Sequence, residues 1–177
     1  YFTINSFKDE ENSFLNKYKY PAKVKGNVSK VKALVFDFDD PTTSKLNVAN
    51  LIKTLKILPT YTLRTSPRKF QICFMLNVSV DSLNWEKVNK TLAYYFDSDI
   101  NVCSMEKLFR LPYFINRKND FQTKLINPDF SFRYDFSIFE DFIKNTTDKK
   151  MLEAINRANK IKHNTPRIRK LIPKDSI

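Results

Sequence analysis

The sequence has 177 residues, 42% of them apolar, which is enough for one domain of ordinary size with a hydrophobic core. Its single glycine, Gly26, excludes the P-loop and the Rossmann fingerprint, because both need several glycines for close backbone approach to phosphate. Two cysteines and one histidine exclude a disulfide framework, a zinc site and a rolling-circle nickase whose metal needs two histidines.

The charge balance predicts a polyanionic partner. Thirty-one Lys and Arg against 19 acids give a net charge of +12, and each phosphate neutralised by a cationic side chain releases condensed counterions. The alternative is a Lys-rich composition that is simply solvated. No apolar run approaches the roughly 20 residues of a membrane span, so we expect no membrane partner. We expect reduced thiols, a cytoplasmic location and, since the sequence starts at Tyr1, a piece of a longer protein.

The first half of the chain is predicted to be mainly strands. In the segment 69–78, Phe70, Ile72 and Phe74 alternate with Gln71 and Cys73, a period of two that predicts one buried face. The predicted elements, in order, are a short strand at 1–7, a charged helix at 8–20, a strand at 32–39, a helix from Thr43 or Ser44 to about Ile57, and strands at 60–66 and 69–78.

The second half is predicted to be more helical. A helix at 82–96, capped by Asp81 or Ser82, carries an apolar stripe and is followed by a loop-rich stretch at 97–119 with a helical turn near 105–109. A strand is predicted at 121–126, and from 134 onwards the chain is predicted to be helical and basic. Between 144 and 177 ten Lys and Arg against three acids give +7 of the net charge of +12. This order of elements indicates an α/β or α+β fold with a mixed β-sheet, and we predict an α+β domain at 1–134, with the sheet flanked by helices, and a basic helical appendage at 135–177.

Two aspartates end the strongly apolar strand "KVKALVFDFDD". Residues i and i+2 of a strand point to the same face, so Asp37 and Asp39 are predicted side by side, opposite Phe36 and Phe38. Two like charges this close repel, and a divalent cation between them would relieve the repulsion. Carboxylates on a rigid strand suit Mg²⁺ or Mn²⁺. The alternative is a strand that ends in solvent before a turn at Asp40 and Pro41.

The motifs resemble those of the archaeo-eukaryotic primase superfamily, in its plasmid RepB-like primase branch. "LVFDFDD" resembles the first motif, an apolar strand ending in Asp-x-Asp, and "RTSPRKFQICF" the second. "YYFDSDINVCSMEKLFRLPYFINRKN" resembles the third-motif aspartate followed by an Arg-Leu-Pro…Asn-x-Lys signature. With the opening "YFTINSF", the resemblance covers roughly 1–125. It implies an RRM-like sheet core and a primase-polymerase catalytic domain at 1–134.

The resemblance also implies site residues. Asp37, Asp39 and Asp99 would hold the catalytic metals, with Asp99 on a strand after the helix at 82–96 and Asp97 as its rival. Gln71 stands where most of the superfamily has a histidine that meets the triphosphate. Nucleotide-phosphate or template contacts are implied for Ser66, Arg68, Lys69, Gln71, Arg110, Asn116 and Lys118.

The implied function is metal-dependent nucleotidyl transfer on a DNA template, by a primase or primase-polymerase that makes or extends primers for a plasmid, phage or mobile element. Two Mg²⁺ or Mn²⁺ ions, nucleoside triphosphates and a single-stranded DNA template are the implied cofactors and partners, and a fused or associated helicase is left open. The alternatives are a non-catalytic nucleic-acid-binding replication module and a metal-dependent nuclease. His163 in the tail is expected to be a surface residue.

Overall fold

A computed structural model of the chain describes residues 5–7 and 27–160. The predicted helix at 8–20, most of the first predicted strand, His163 and the end of the basic tail lie outside these residues. The strands are β1 Ser6–Phe7, β2 Val28–Phe38, β3 Tyr61–Ser66, β4 Lys69–Val80, β5 Ile115–Asn116, β6 Phe121–Gln122 and β7 Lys124–Ile126. The helices are α1 Ser44–Leu55, α2 Ser82–Tyr95, α3 Ser137–Asn145 and α4 Lys149–Lys160, and a 3-10 helix, Ile100–Cys103, lies between α2 and β5.

Five strands form one sheet in the order β1-β2-β4-β3-β7, and β5 and β6 form a separate hairpin. All the paired strands of the described residues are antiparallel. The one parallel contact in the described part of the chain is an isolated bridge between Leu76 and Tyr134. The α+β class with flanking helices is therefore confirmed, while the sheet is antiparallel where we predicted a mixed one. Tight turns such as the one between β3 and β4 join neighbouring strands directly, and such connections produce antiparallel pairs.

The predicted alternation in β2 and β4 places the main core on one face of the sheet. Phe36, Phe38, Phe70, Ile72 and Phe74 are all buried there. The apolar stripe of α2 packs onto the same face, as predicted, through Trp85, Val88, Leu92 and Phe96.

The opposite face of the sheet carries a smaller apolar cluster and two buried polar side chains. Ala33, Val35 and Cys73 are buried there under Phe109, with Tyr61 and Met75 packed at the margin. Asp37 and Gln71 are buried polar side chains of β2 and β4, and their pair lies two positions beyond the pair of Val35 with Cys73.

The helix caps differ in how well sequence predicted them. The Asp81 carboxylate accepts hydrogen bonds from the backbone N–H groups of Leu83 and Asn84 at 3.0 and 2.9 Å, so the predicted cap of α2 is confirmed. At α1 the capping position is Thr43, whose side chain makes no capping hydrogen bond. The Ser44 hydroxyl instead donates to the carbonyl of Arg68, which ties the start of α1 to the β3–β4 turn.

Helices α3 and α4 pack against α2. Phe139 of α3 is completely buried in the main core, 5.6 Å from Phe74 between ring centroids, and Met151 and Ala154 of α4 are buried as well. Helix α3 thus shares the core of the preceding residues, α4 packs on α2, and the boundary at 134 stays a prediction. Among the helices that the structure describes, none has both the length and the apolar character needed to cross a membrane.

Candidate active site

Asp37 of β2 lies directly opposite Gln71 of β4 in the antiparallel register. Both side chains are 8% exposed, and Gln71 Nε2 donates a hydrogen bond of 2.9 Å to Asp37 Oδ2. The amide of Gln71 is therefore bound to the first-motif carboxylate, although the resemblance implied a contact with nucleotide phosphate.

Burial is the main reason why the pKa of Asp37 is raised, from the usual 3.8 to about 6. The negative charges of Asp39 and Asp99 raise the pKa further, while the Gln71 hydrogen bond and the positive charge of Lys107 act in the opposite direction. In the described structure Asp37 Oδ1 is buried and has no hydrogen-bond partner. A buried carboxylate oxygen in that state is costly, and a cation bound to it would offset the cost.

The segment around Asp99 is docked on the edge of β2. The backbone N–H of Asp99 donates to the carbonyl of Asp37 at 2.8 Å. The Ser98 hydroxyl accepts from the Asp37 N–H at 2.9 Å and donates to the Asp37 carbonyl at 3.1 Å. We had predicted Asp99 on a strand, but it lies at the start of the 3-10 helix. There its Oδ1 accepts hydrogen bonds from the backbone N–H and the side chain of Asn101.

The two candidates for the third carboxylate have different partners. The Asp97 carboxylate is bound to Lys150 Nζ of α4 at 2.7 Å, and its backbone is left-handed, with φ 56°. The Asp99 charge instead acts on Asp37. Of the two acids, Asp99 is held beside Asp37 by its backbone, and its role as the third carboxylate stays a prediction.

Asp39 and the second-motif residues lie at one end of the sheet. Asp39 follows the last residue of β2, is half exposed, and lies 3.4 Å from Lys69 Nζ. Lys69 pairs with Ser66 across the β3–β4 turn, which also contains the exposed Arg68. Lys69 therefore places a positive charge beside Asp39, and the exposed Arg68 precedes it in the chain, while Ser66 is buried.

The three site residues that the resemblance implied at positions 110, 116 and 118 lie before or within the β5–β6 hairpin. Arg110 and Lys118 line a groove of about 500 Å³. Asn116 is buried, its Nδ2 donates to the carbonyl of Thr65 at 3.1 Å, and its Oδ1 accepts from the Lys118 N–H at 3.3 Å. Asn116 therefore anchors the hairpin to the end of β3, with both ends of its amide used inside the chain.

The donor set suits a hard divalent cation, but the carboxylates are not gathered into a finished cluster. Among the described residues, no three His, Cys, Asp or Glu side chains are close enough together to hold a metal ion. The partnerless Asp37 Oδ1, with the charges of Asp39 and Asp99 nearby, is the feature that fits a cation.

Residues 3–130 match the family model described as RepB DNA-primase N-terminal domain. The chain belongs to this family. No curated protein matched the chain significantly.

Three solved structures share the fold of this RepB primase domain. The AEP domain of the primase-polymerase of cyanophage S-2L aligns with a TM-score of 0.57 at 15% identity, over 70% of this chain and 64% of that one. A crystal structure of primase RepB' gives 0.54 at 16% identity, over 79% and 45%. The catalytic domain of primase RepB' in complex with initiator DNA gives 0.51 at 17% identity, over 71% and 63%. This chain therefore spans less than two thirds of each of these proteins.

Several residues of the RepB primase domain site were missed by sequence reasoning. Ser98 binds the Asp37 backbone, and the positive charge of Lys107 lowers the Asp37 pKa. Glu86, a buried acid of α2 paired with Lys90, lines a cavity of about 800 Å³ together with Asp99. The alternation of apolar and polar residues placed Asp37 and Gln71 on the same face of the sheet, but no tight turn joins β2 to β4, so their direct pairing had only this partial signal. Ser98 had no such signal, because its contact depends on how a loop docks on β2.

Proposed function

We propose that this chain is the catalytic domain of a DNA-directed nucleotidyltransferase, a primase or primase-polymerase that makes or extends primers. The observation that carries the proposal is the convergence of three motif segments on Asp37. Gln71 binds its side chain, Asp99 binds its backbone carbonyl, and the charge of Asp39 acts on its carboxylate. A nucleic-acid-binding module would not need acids from two distant segments at one end of a sheet.

The reaction is the attack of a 3′-hydroxyl on the α-phosphate of an incoming nucleoside triphosphate, with pyrophosphate as the leaving group. Asp37, Asp39 and Asp99 would hold Mg²⁺ or Mn²⁺. Such ions, when bound, supply Lewis-acid stabilisation of the phosphoryl oxygens and lower the pKa of the attacking hydroxyl.

The other residues of the site position the substrates. Lys69 beside Asp39, and Arg68 in the adjacent turn, would neutralise triphosphate oxygens, with Arg110 and Lys118 acting from the hairpin groove. Gln71 fixes the orientation of the Asp37 carboxylate, so the charge that a histidine would bring to the phosphates has to come from these lysines and arginines.

The partners are a single-stranded DNA template and nucleoside triphosphates, in the replication of a plasmid, phage or mobile element. The net charge of +12 supports a nucleic-acid partner, as does the fold shared with a RepB' domain that was solved with initiator DNA. A cytoplasmic location follows from the same role, and a helicase fused or associated with the chain would supply unwound template.

The test supplies labelled nucleotides, a single-stranded template and Mn²⁺ to the purified chain. Incorporation supports the proposal, strand cleavage would identify a nuclease, and binding with neither reaction would identify a non-catalytic module. Asp37→Asn should abolish incorporation while the circular dichroism spectrum is retained. The matched control is Asp141→Asn, an exposed acid of α3, which should leave incorporation unchanged.

A further inference from the structure

Three consecutive large apolar side chains are exposed before and at the start of the β5–β6 hairpin. Tyr113, Phe114 and Ile115 are 62%, 65% and 60% exposed, and we call them the apolar triplet. Single exposed apolar residues are ordinary on a protein surface, but a run of three on a small, ordered hairpin is not. The function proposed above assigns these three residues no role.

The backbone beneath the triplet is firmly held. The Tyr113 N–H donates to the carbonyl of Thr123 at 2.8 Å, and the Thr123 N–H donates to the carbonyl of Phe114 at 3.0 Å. The Thr123 hydroxyl donates to the carbonyl of Leu111 at 2.7 Å, and Gln122 Nε2 to that of Tyr113 at 3.0 Å. The backbone that carries the two rings is therefore fixed before a ligand binds, and binding has to order only their side-chain torsions.

Tyr113 has a left-handed backbone, with φ 66°. A bulky residue rarely adopts this conformation, because its Cβ crowds the backbone, and such strain is concentrated at sites of function. The chain keeps the strained tyrosine, although a glycine or asparagine would fit the same backbone at lower cost.

The groove beside the triplet indicates the class of ligand. Phe114 and Ile115 form part of its wall, and the charged side chains that line it in the described structure, Arg110, Arg117 and Lys118, are all cationic. Tyr113 lies in an adjoining groove that shares Phe114, Ile115 and Arg117 with the first and also contains one acid, Asp120. Aromatic faces next to cations are how proteins bind unpaired nucleic acid strands, since bases stack on the rings and phosphates meet the charges. A second copy of a chain with a net charge of +12 is the less favoured occupant of a cationic groove.

We propose that Tyr113 and Phe114 form a stacking platform for unpaired bases of a nucleic acid single strand, whose phosphates are bound by Arg117 and Lys118. Asn116, one residue past the triplet, is bonded to Thr65 at the end of β3, so the platform adjoins the turn that carries Lys69 and, beside it, Asp39. The assignment of this strand as the template rests on the proposed function. The stacking of its bases on the platform does not.

The test measures fluorescence anisotropy of a labelled oligothymidylate and of an abasic strand with the same number of phosphates, without divalent cation or nucleotide. Phe114→Ala and Tyr113→Ala should each weaken oligothymidylate binding by about 5- to 150-fold, and change binding of the abasic strand little. Arg117→Ala should weaken both and reduce the salt dependence by about one counterion.

Two further variants separate stacking from general hydrophobicity. Phe114→Tyr should bind like the original chain, whereas Phe114→Leu, equally apolar but without a ring, should bind like Phe114→Ala. Leu83→Ala on α2, where Leu83 is 62% exposed, is the matched control and should have no effect.

The stacking platform would be overturned if Phe114→Ala and Tyr113→Ala bound oligothymidylate as tightly as the original chain does. It would also be overturned if the original chain bound the abasic strand as tightly as oligothymidylate. Loss of a dimer on Phe114→Ala in sedimentation, with unchanged oligothymidylate binding, would reassign the triplet to a protein interface. The outcomes are separable from the proposed function, because stacking is measured without catalysis. Incorporation without stacking, or stacking without incorporation, would each reject one proposal and keep the other.

Discussion

At the scale of single residues, the pair Asp37 and Gln71 shows how a carboxylate can be kept in a strand. The amide donor lies directly across the ladder and binds one carboxylate oxygen, while the other oxygen has no partner among the described residues. One oxygen of the group is thus bonded within the protein, and the other remains for a ligand.

Replacing Gln71 with leucine should therefore destabilise the protein. Gln71→Leu removes the donor to a buried carboxylate, and we expect the free energy of unfolding to fall by about 1.5–3 kcal/mol. The measurement is guanidinium unfolding in EDTA, at a pH above the Asp37 pKa of about 6. In an Asp37→Asn background the same substitution should cost clearly less, since no buried charge is left; an equal cost in both backgrounds would contradict the interpretation.

Asp97 and Asp99 provide a matched pair of neighbouring acids. Asp99→Asn should remove template-directed incorporation, because its charge acts on Asp37. Asp97→Asn should retain it and lose at most about 1 kcal/mol of stability, since its bond to Lys150 is an exposed ion pair and asparagine tolerates the left-handed backbone. Initial incorporation rates of the two variants decide the matter, and the reverse result would move the third carboxylate to Asp97.

At the scale of secondary structure elements, the spacing of apolar residues correctly predicted the strands and the helix that bury one face. Strands β2 and β4 and helix α2 were found from the sequence, because each must bury one face and therefore repeats its apolar residues every two or every three to four positions. The predicted strand at 121–126 is instead two short strands, separated at Thr123, whose hydroxyl binds carbonyls of the preceding loop.

The position of Asp99 was beyond such reasoning. Its segment docks on β2 through a hydroxyl and one backbone hydrogen bond, and neither leaves a repeating pattern in the sequence. The motif resemblance supplied the residue, but not its place on a 3-10 helix. The partners of Asn116 were hidden for the same reason, since they depend on how a hairpin folds against β3.

Helix α3 is expected to be part of the folding unit, because Phe139 is completely buried against Phe74 and Tyr134. Phe139→Ala should lower the free energy of unfolding by about 3–5 kcal/mol, through lost burial and the cavity that remains. Its neighbour Ile138 is 38% exposed, so Ile138→Ala is the control and should cost less than about 1 kcal/mol in the same denaturation assay. Similar small losses for both would mean that α3 is a separate appendage.

At the scale of the whole molecule, the two thiols report on opening of the domain. Burial raises the pKa of Cys73 and of Cys103 to about 12, compared with the usual 9.0, and both side chains are at most 1% exposed. Since only the thiolate is nucleophilic, we expect neither cysteine to react with Ellman's reagent in the native protein at mildly alkaline pH. Two equivalents should react after denaturation. Rapid reaction of either thiol in the native protein would show that its part of the core opens locally.

The same pKa shifts predict how the free energy of unfolding changes at alkaline pH. The unfolded chain releases the two thiol protons near the usual pKa of 9.0, while the folded chain holds them to about 12, so the contribution of these groups to stability falls as the pH rises between those values.

Asp37 takes its side-chain partner from 34 positions downstream and its backbone partner, Ser98, from 61. On a translating ribosome, the first acid of the site therefore emerges long before either of the segments that orient it. A nascent chain that stops before residue 98 carries the Asp-x-Asp sequence without an assembled catalytic centre. The surroundings of Asp37 are thus complete only after both distant segments have been made and have folded against a strand that was made early.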